Sequence, residues 1–204
     1  MKITTAPARI AILAAIVAAP LMFAQAPQKS DPIEALAGKW DTHCGLKGCM
    51  MFTDALIGDP DHPADLKHPQ YITIAVAINR SDRKLAYIDF DLPPDADRSQ
   101  GFFVAFAKTS KDGKNWKLTL VKSATAHFSF VNCDENSCIG RALNGLVSSD
   151  GEPTINLLQE FLQTDQILFL FTRNGQPYRT MKALFPFQRA YQHLMETEFK
   201  QGSK

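Results

Sequence analysis

Apolar and polar side chains alternate with a period of two along much of the chain, which is the pattern of a β-strand with one buried face. The clearest run spans residues 72–78, in which every second residue is isoleucine or valine. The same alternation recurs at three further sets of positions: Phe102, Val104 and Phe106; Trp116, Leu118 and Leu120; and Ala126, Phe128 and Phe130. Each of these runs predicts a strand.

Two dipeptides predict tight hairpins between strands. Asp112-Gly113 separates two of the alternating runs, and Asn174-Gly175 is the strongest short hairpin signal in the chain. Residues 167–171, just before the second dipeptide, are apolar at every position, which predicts a strand covered on both faces. Residues 178–184 are the predicted return strand.

Two segments follow the helical period instead. Residues 154–164 place apolar side chains at helical spacing, and a second amphipathic stripe runs from Phe187 to Phe199 near the C-terminus. Many short strands with turn signals and few helices are typical of two packed antiparallel sheets. The predicted fold class is therefore mainly β, a β-sandwich with one or two short helices.

The first 26 residues have the parts of an export signal. Lys2 and Arg9 form a positive head, residues 10–23 carry no charge, and Ala24-Gln25-Ala26 is a small-residue cleavage pattern. A membrane anchor is the alternative, but the apolar run is shorter than the roughly 20 residues of a spanning helix and contains Pro20. We expect the following organisation: a signal peptide at 1–26, a flexible lead-in at 27–38, a single domain at 39–200, and no transmembrane segment after cleavage.

The charge balance excludes one class of partner. Removing Lys2 and Arg9 from the 22 basic side chains leaves 20 against 21 acidic ones, so the mature chain is close to neutral. Binding to nucleic acid rests on a strong excess of basic residues. We therefore expect no nucleic-acid partner.

Four cysteines form two pairs with the same spacing, Cys44 with Cys49 and Cys133 with Cys138. An even count in an exported chain predicts disulfides, and the turn-forming residues between the partners favour the local pairing among three possible connectivities. On the entropic model, each loop of about six residues constrains the unfolded chain by only ~2 kcal/mol. A Cys₄ zinc site and thioredoxin-like redox chemistry are the weaker alternatives, because both normally use closer spacing.

Three motifs that contain these cysteines or aromatic residues follow one another along the chain. They are Trp40-Asp-Thr-His-Cys44 leading to Cys49, the segment from Phe130 through Cys133 and Cys138 to Ala142, and the closing Leu184-Phe-Pro-Phe187-Gln-Arg-Ala190-Tyr. Over nearly all of the mature chain, this set resembles the invasion-associated locus B family of exported bacterial proteins. The resemblance implies an immunoglobulin-like β-sandwich in the periplasm or at the cell surface of a Gram-negative bacterium. The name of the family refers to virulence, and the resemblance implies no catalytic residues and no cofactor.

The chain departs from the family at Pro186, where the family tends to have glycine, and at residues 59–68, which form an enlarged loop. The possible metal ligands of this loop are Asp59, Asp61, His62, Asp65 and His68. These side chains suit a divalent metal, while the prolines and polar residues around them are equally typical of an exposed loop. The solvated loop is favoured because ligand type alone specifies no geometry.

Two further polar groups are candidates for chemistry. The acidic stretch of Asp89, Asp91, Asp95 and Asp97 lacks the glycine and terminal glutamate of a calcium loop, so a charged strand end and turn is expected. His127 lies beside Ser129 on the polar face of a predicted strand, without a nucleophile motif, so a surface histidine is expected.

These observations predict a non-enzymatic envelope or secreted protein that acts by binding. Its partner is predicted to be an envelope or host protein, with no cofactor. The alternative is a periplasmic divalent-metal-binding protein that uses the loop at residues 59–68 or the cysteines.

Overall fold

The structure of this chain is a computed structural model, and it describes residues 39–58, 63–112, 115–148 and 154–199. These residues all belong to the same folded unit, residues 31–204. The predicted signal peptide at 1–26 and the lead-in at 27–38 lie outside the described residues.

Antiparallel strands make up most of the described chain. Six of them form one sheet: β1 (Asp41–Cys44), β2 (Gly48–Leu56), β3 (Tyr71–Asn79), β4 (Leu85–Leu92), β7 (Asn132–Cys133) and β8 (Cys138–Leu143). Four form a second sheet: β5 (Phe102–Asp112), β6 (Asn115–Phe128), β11 (Gln166–Arg173) and β12 (Gln176–Ala183). The strand orders are β1-β2-β3-β4-β8-β7 and β12-β11-β5-β6, and β9 (Leu146–Val147) pairs with β10 (Ile155–Asn156).

Two helices complete the described fold, α1 (Leu157–Gln163) and α2 (Phe185–Thr197). The helix predicted at 154–164 begins later than expected, because Ile155 and Asn156 pair with β9 before the chain turns into the helix. Asn156 then caps α1, since its side-chain oxygen accepts a hydrogen bond from the Gln159 N–H at 3.1 Å. Neither helix of the described chain has the length and apolar character that crossing a bilayer requires.

Phenylalanine side chains from both sheets build the core between them. Phe90 of β4 meets three rings of the four-stranded sheet edge to face, at centroid distances of 5.9 Å (Phe102), 5.2 Å (Phe128) and 5.5 Å (Phe169). All four rings are buried. The predicted β-sandwich with one or two short helices is thereby confirmed.

The two helices close one end of this core through a second aromatic cluster. Trp40, just before β1, lies 4.8 Å from the Phe187 ring of α2 and 6.5 Å from the Phe161 ring of α1. Phe161 also packs on Phe106 of β5 at 5.7 Å. The amphipathic stripe predicted near the C-terminus is therefore a helix that covers the sandwich end.

Side chains of β12 join the edges of the two sheets. Thr180 donates to the Leu56 carbonyl at 2.6 Å, and the Lys182 ammonium donates to the Asp54 carbonyl at 2.6 Å. Lys182 is buried, and burial lowers the pKa of its ammonium while the neighbouring Asp54 opposes that shift. These hydrogen bonds satisfy carbonyls of β2 that lie beyond the end of its partner β1.

The Asn174-Gly175 hairpin is confirmed, with φ of 49° and 76° at its two turn residues between β11 and β12. Asp112 and Asn115 stand opposite each other at the second predicted hairpin, whose turn residues 113–114 are not described. The prediction that residues 167–171 are covered on both faces is wrong. Ile167 and Phe169 are buried, whereas Leu170 points away from the core and is 44% exposed.

Candidate functional site

Both cysteine pairs are disulfides that join directly opposite residues of a tight hairpin. Cys44 faces Cys49 across β1 and β2 with Cα atoms 4.1 Å apart, and Cys133 faces Cys138 across β7 and β8 at 4.0 Å. This is the local pairing expected from the sequence. All four cysteines are disulfide-bonded, so none is present as a thiolate that could ligate zinc.

The turn inside the second disulfide is held by one carboxylate. The Asp134 side chain accepts hydrogen bonds from the N–H groups of Asn136 (2.8 Å) and Ser137 (3.0 Å), and these lower the pKa of its carboxyl. Arg98 donates to the Asp134 carbonyl at 3.2 Å. The turn is therefore pinned to the connection that follows β4.

The enlarged loop brings together two of its candidate metal ligands. His68 Nδ1 lies 3.2 Å from Asp65 Oδ2, and the Lys67 N–H and His68 lower the pKa of the Asp65 carboxyl. Asp59, Asp61 and His62 fall outside the described residues. Across the parts of the chain that the structure describes, no three His, Cys, Asp or Glu side chains are placed to hold a metal ion.

The acidic stretch forms ion pairs and a turn. Asp89 receives two hydrogen bonds from Arg141, at 2.7 and 2.6 Å, and Asp95 receives two from Arg173, at 2.9 and 2.6 Å. Asp97 accepts from the Ser99 backbone and hydroxyl, which lowers the pKa of its carboxyl. These contacts agree with the expected charged strand end and turn. The two ion pairs also join residues that are far apart in sequence.

Asp91 is the exception within this stretch. Its Oδ1 atom is buried and has no hydrogen-bond partner. Burial raises the pKa of this carboxyl, the Ser137 hydroxyl opposes the shift, and the nearby Asp134 and Asp89 add to it. The charged form is therefore disfavoured in the folded protein.

We expect Asp91→Asn to raise the melting temperature at pH 7, because it removes a charge that burial leaves poorly solvated. The rise should be only about 1–2 °C, because the side chain is partly exposed and solvent screens its charge. A carboxyl whose pKa is raised on folding destabilises the fold above that pKa and ceases to do so once both states are protonated. The gain should therefore shrink as pH falls through the raised pKa and vanish below the ordinary value of 3.8. Thermal melts from pH 3 to 7 measure this, with Asp89→Asn as the destabilising control, and a gain independent of pH would contradict the prediction.

His127 has a structural role in the described fold. Its Nε2 atom lies 2.8 Å from the Gln100 carbonyl oxygen, and its ring contacts Phe103 at a centroid distance of 4.7 Å. The Thr172 hydroxyl in turn donates to the Gln100 side chain at 2.8 Å. The histidine expected at the surface is thus exposed and anchored to the connection that precedes β5.

A groove of about 510 Å³ lies between α2 and the residues that precede β1. Its walls are Lys39, Trp40, Phe185, Pro186, Arg189, Ala190 and His193. The Trp40 indole N–H is buried without a hydrogen-bond partner. The groove is lined by apolar side chains with a basic rim, which includes Lys39, the first residue that the structure describes.

Large apolar side chains are exposed on the outer face of the four-stranded sheet. Alternate residues of one strand, and residues directly opposite on neighbouring strands, lie on the same face of a sheet. By register, Leu170 stands opposite Phe103, and Leu120 opposite Ala107. We call this surface the open face and define it by its large side chains: Phe103, Trp116, Leu118, Leu120, Leu170 and Met181.

The open face exposes these side chains to an unusual degree. Their exposed fractions range from 42% for Leu118 to 63% for Trp116. The exposed apolar area is on the order of 500 Å², near the upper end of the roughly 300–600 Å² of the largest patch on a typical monomer. An apolar face of this size is typical of a docking surface.

This surface was not predicted from the sequence pattern, although a signal was present. The alternation at Trp116, Leu118 and Leu120 predicts a strand with one buried side. The continuous apolar run at 167–171 predicts a strand covered on both faces. The same stretch of chain is rich in lysine, with Lys108, Lys111, Lys117 and Lys122. Lysines interleaved with large apolar residues in a hairpin are the pattern that could have pointed to it.

No protein-family model, no curated protein and no solved structure matches this chain.

Proposed function

We propose that this chain is an exported, non-enzymatic binding protein of the invasion-associated locus B kind. It works in the periplasm or at the surface of a Gram-negative bacterium and engages its partner through the open face. The proposal makes binding, without catalysis, the activity of the protein.

The observation that carries this proposal is the open face itself. In an antiparallel sheet with one face in water, polar residues normally occupy that face and alternate along each strand with the apolar residues of the buried face. Here Leu170 lies beside Phe103, Met181 stands opposite Leu168, and the apolar row of β6 begins opposite Ala107 on the same face, so water contacts large apolar side chains that a partner would cover. Removing such area from water stabilises a complex by roughly 25 cal/mol per Å² before the costs of association.

Export is supported by the disulfides and by the N-terminal sequence. Disulfides persist in oxidising compartments and are rare in reducing ones. Lys2, Arg9 and the uncharged stretch at 10–23 have the composition of a signal peptide. The motif order around Trp40, Cys133 and Phe187 carries the family resemblance.

The roles of the polar candidates support a function without catalysis. Asp89 and Asp95 are held in bidentate ion pairs, and His127 is bound to a backbone carbonyl. Each of these groups serves the fold, so none needs a reaction to explain its position.

Site-specific photo-crosslinking in intact cells tests the proposal. A benzoylphenylalanine at position 103, on the open face, is expected to give a discrete adduct, and the same group at position 143 is the control. Leu143 is more exposed to solvent than Phe103, at 65% against 46%, but lies on β8 of the other sheet. Equal labelling from both positions, or no adduct from position 103 beside a robust hydrolase activity of the purified protein, would overturn the proposal.

A further inference from the structure

The hairpin of β5 and β6 extends beyond the rest of the four-stranded sheet. β11 begins at Gln166, which pairs with Ala107, so the later residues of β5 pair only with β6. We call residues 108–112 and 115–119 the arm. At about 3.3 Å per residue, it projects roughly 15 Å from the sheet.

The arm is anchored firmly where it leaves the sheet. Asp165, the residue before β11, accepts hydrogen bonds from the Thr109 N–H at 2.6 Å and the Thr109 hydroxyl at 3.0 Å. The Asp165 N–H donates to the Ala107 carbonyl at 3.1 Å. The arm therefore holds Trp116 and Leu118 in line with the remainder of the open face.

Basic residues accompany the apolar ones across the open face. Trp116 stands opposite Lys111, Leu170 opposite Arg179, and Phe103 opposite His127. Within the strand bounds of this sheet, the charged residues other than Asp112 are basic: Lys108, Lys111, Lys117, Lys122, Arg173, Arg179 and Lys182. By alternation, Lys108 and Lys117 lie on the other side of the arm from Trp116, and the buried Lys182 faces the six-stranded sheet.

The six-stranded sheet does not share this basic excess. Its strands contain Asp41, Asp54, Asp89 and Asp91 against Arg141, while its turns carry basic residues, among them Lys47, Arg80 and Lys84. The basic excess therefore lies on the hairpin of β5 and β6, and an anionic surface would attract that part of the molecule.

A second copy of this chain fits the open face poorly. It would present Lys111, Arg179 and the same apolar side chains, so a contact between two open faces would bring basic residues of both copies together. Burying like charges against each other opposes association. The partner should instead combine an anionic surface with an apolar layer beneath it.

We propose that the open face and its arm dock on the surface of an anionic phospholipid bilayer. This inference rests on the proposed binding function and names the partner of that same surface. Trp116, Leu118 and Leu120 enter the interfacial region, where tryptophan is the favoured side chain. Lys111 lies at the level of the phosphate groups, and the long stems of Lys108 and Lys117 let their ammonium groups reach the same level from the other side of the arm.

The two tryptophans of the chain make docking directly observable. Trp40 is buried in the aromatic cluster, whereas Trp116 is exposed on the arm. Vesicles of phosphatidylcholine with phosphatidylglycerol should shift the fluorescence of the mature protein to shorter wavelength and protect it from an aqueous quencher. Vesicles of phosphatidylcholine alone should do neither, and Trp116→Phe should abolish the shift while leaving the emission of Trp40.

Vesicle sedimentation measures the affinity and its charge dependence. Each lysine near an anionic surface strengthens binding about fivefold, so Lys111→Gln with Lys117→Gln should weaken partitioning by more than tenfold. Lys47→Gln with Lys84→Gln, exposed lysines of the other sheet's turns, is the matched control. Leu118→Ala with Leu120→Ala should also weaken binding, and Leu143→Ala should not.

The outcomes separate this inference from the function on which it rests. Binding that ignores the lipid charge, or that is unchanged in the arm variants, overturns docking by this face. Failure to bind vesicles beside a protein adduct from position 103 overturns the lipid partner and leaves the binding function standing. Failure of both experiments removes both proposals.

Discussion

Phe90→Ala is expected to lower the free energy of unfolding by about 3–5 kcal/mol, the usual cost of emptying a phenylalanine site in a packed core. The Phe90 ring is fully buried in β4 and meets Phe102, Phe128 and Phe169 edge to face across the interior. Its loss removes contacts to both layers of the sandwich, and the surrounding strands cannot collapse into the space. Urea denaturation followed by circular dichroism measures the change.

Phe103→Ala is the matched control for this substitution. Phe103 lies on β5, on the outer face of the other sheet, and is 46% exposed, so its truncation should cost less than about 1 kcal/mol. Similar losses in the two variants would mean that the sheets do not pack around Phe90 as described.

Gly140→Ala is expected to destabilise the fold by about 1–3 kcal/mol through overpacking. A Cβ atom at this position of β8 would lie 2.4 Å from Cε1 and 2.5 Å from Cζ of Phe102. Phe102 cannot move aside easily, because its ring is stacked on Phe128 at 5.0 Å and on Phe130 at 5.4 Å. The same denaturation experiment measures this loss.

Gly45→Ala provides the control within the same sheet. No atom lies within 4 Å of a Cβ built at Gly45, and its φ is not among the positive values of the described chain. Its unfolding free energy should stay within about 0.5 kcal/mol of the parent protein. A stable Gly140→Ala variant would show that the two sheets do not approach each other closely there.

Local patterns in the sequence predicted most of the elements because their causes are local. The alternation at 72–78 sets which side of β3 is buried, and Asn174-Gly175 suits a two-residue turn whose residues both have positive φ. The cysteine pairing is also local, because a four-residue turn places Cys44 opposite Cys49.

The ion pairs and edge contacts could not be predicted in the same way. Asp89 and its partner Arg141 are 52 residues apart, and Lys182 reaches a carbonyl 128 residues away. The sequence shows that an aspartate or lysine is present, but its partner follows only from the order of strands in each sheet. From the sequence alone, four aspartates in one stretch are therefore compatible with a cation-binding loop. Only the positions of the neighbouring strands show which of them form ion pairs.

By itself, the sequence determined the class of fold, the places of the hairpins and the local disulfides, because periodicity and turn chemistry act over a few residues. Only the tertiary structure decided which apolar residues are covered. The composition of residues 167–171 is the same whether Leu170 is covered by a second layer or exposed to water. That difference depends on which elements pack on each sheet, and it is what makes the outer face of β5, β6, β11 and β12 the candidate site of this protein.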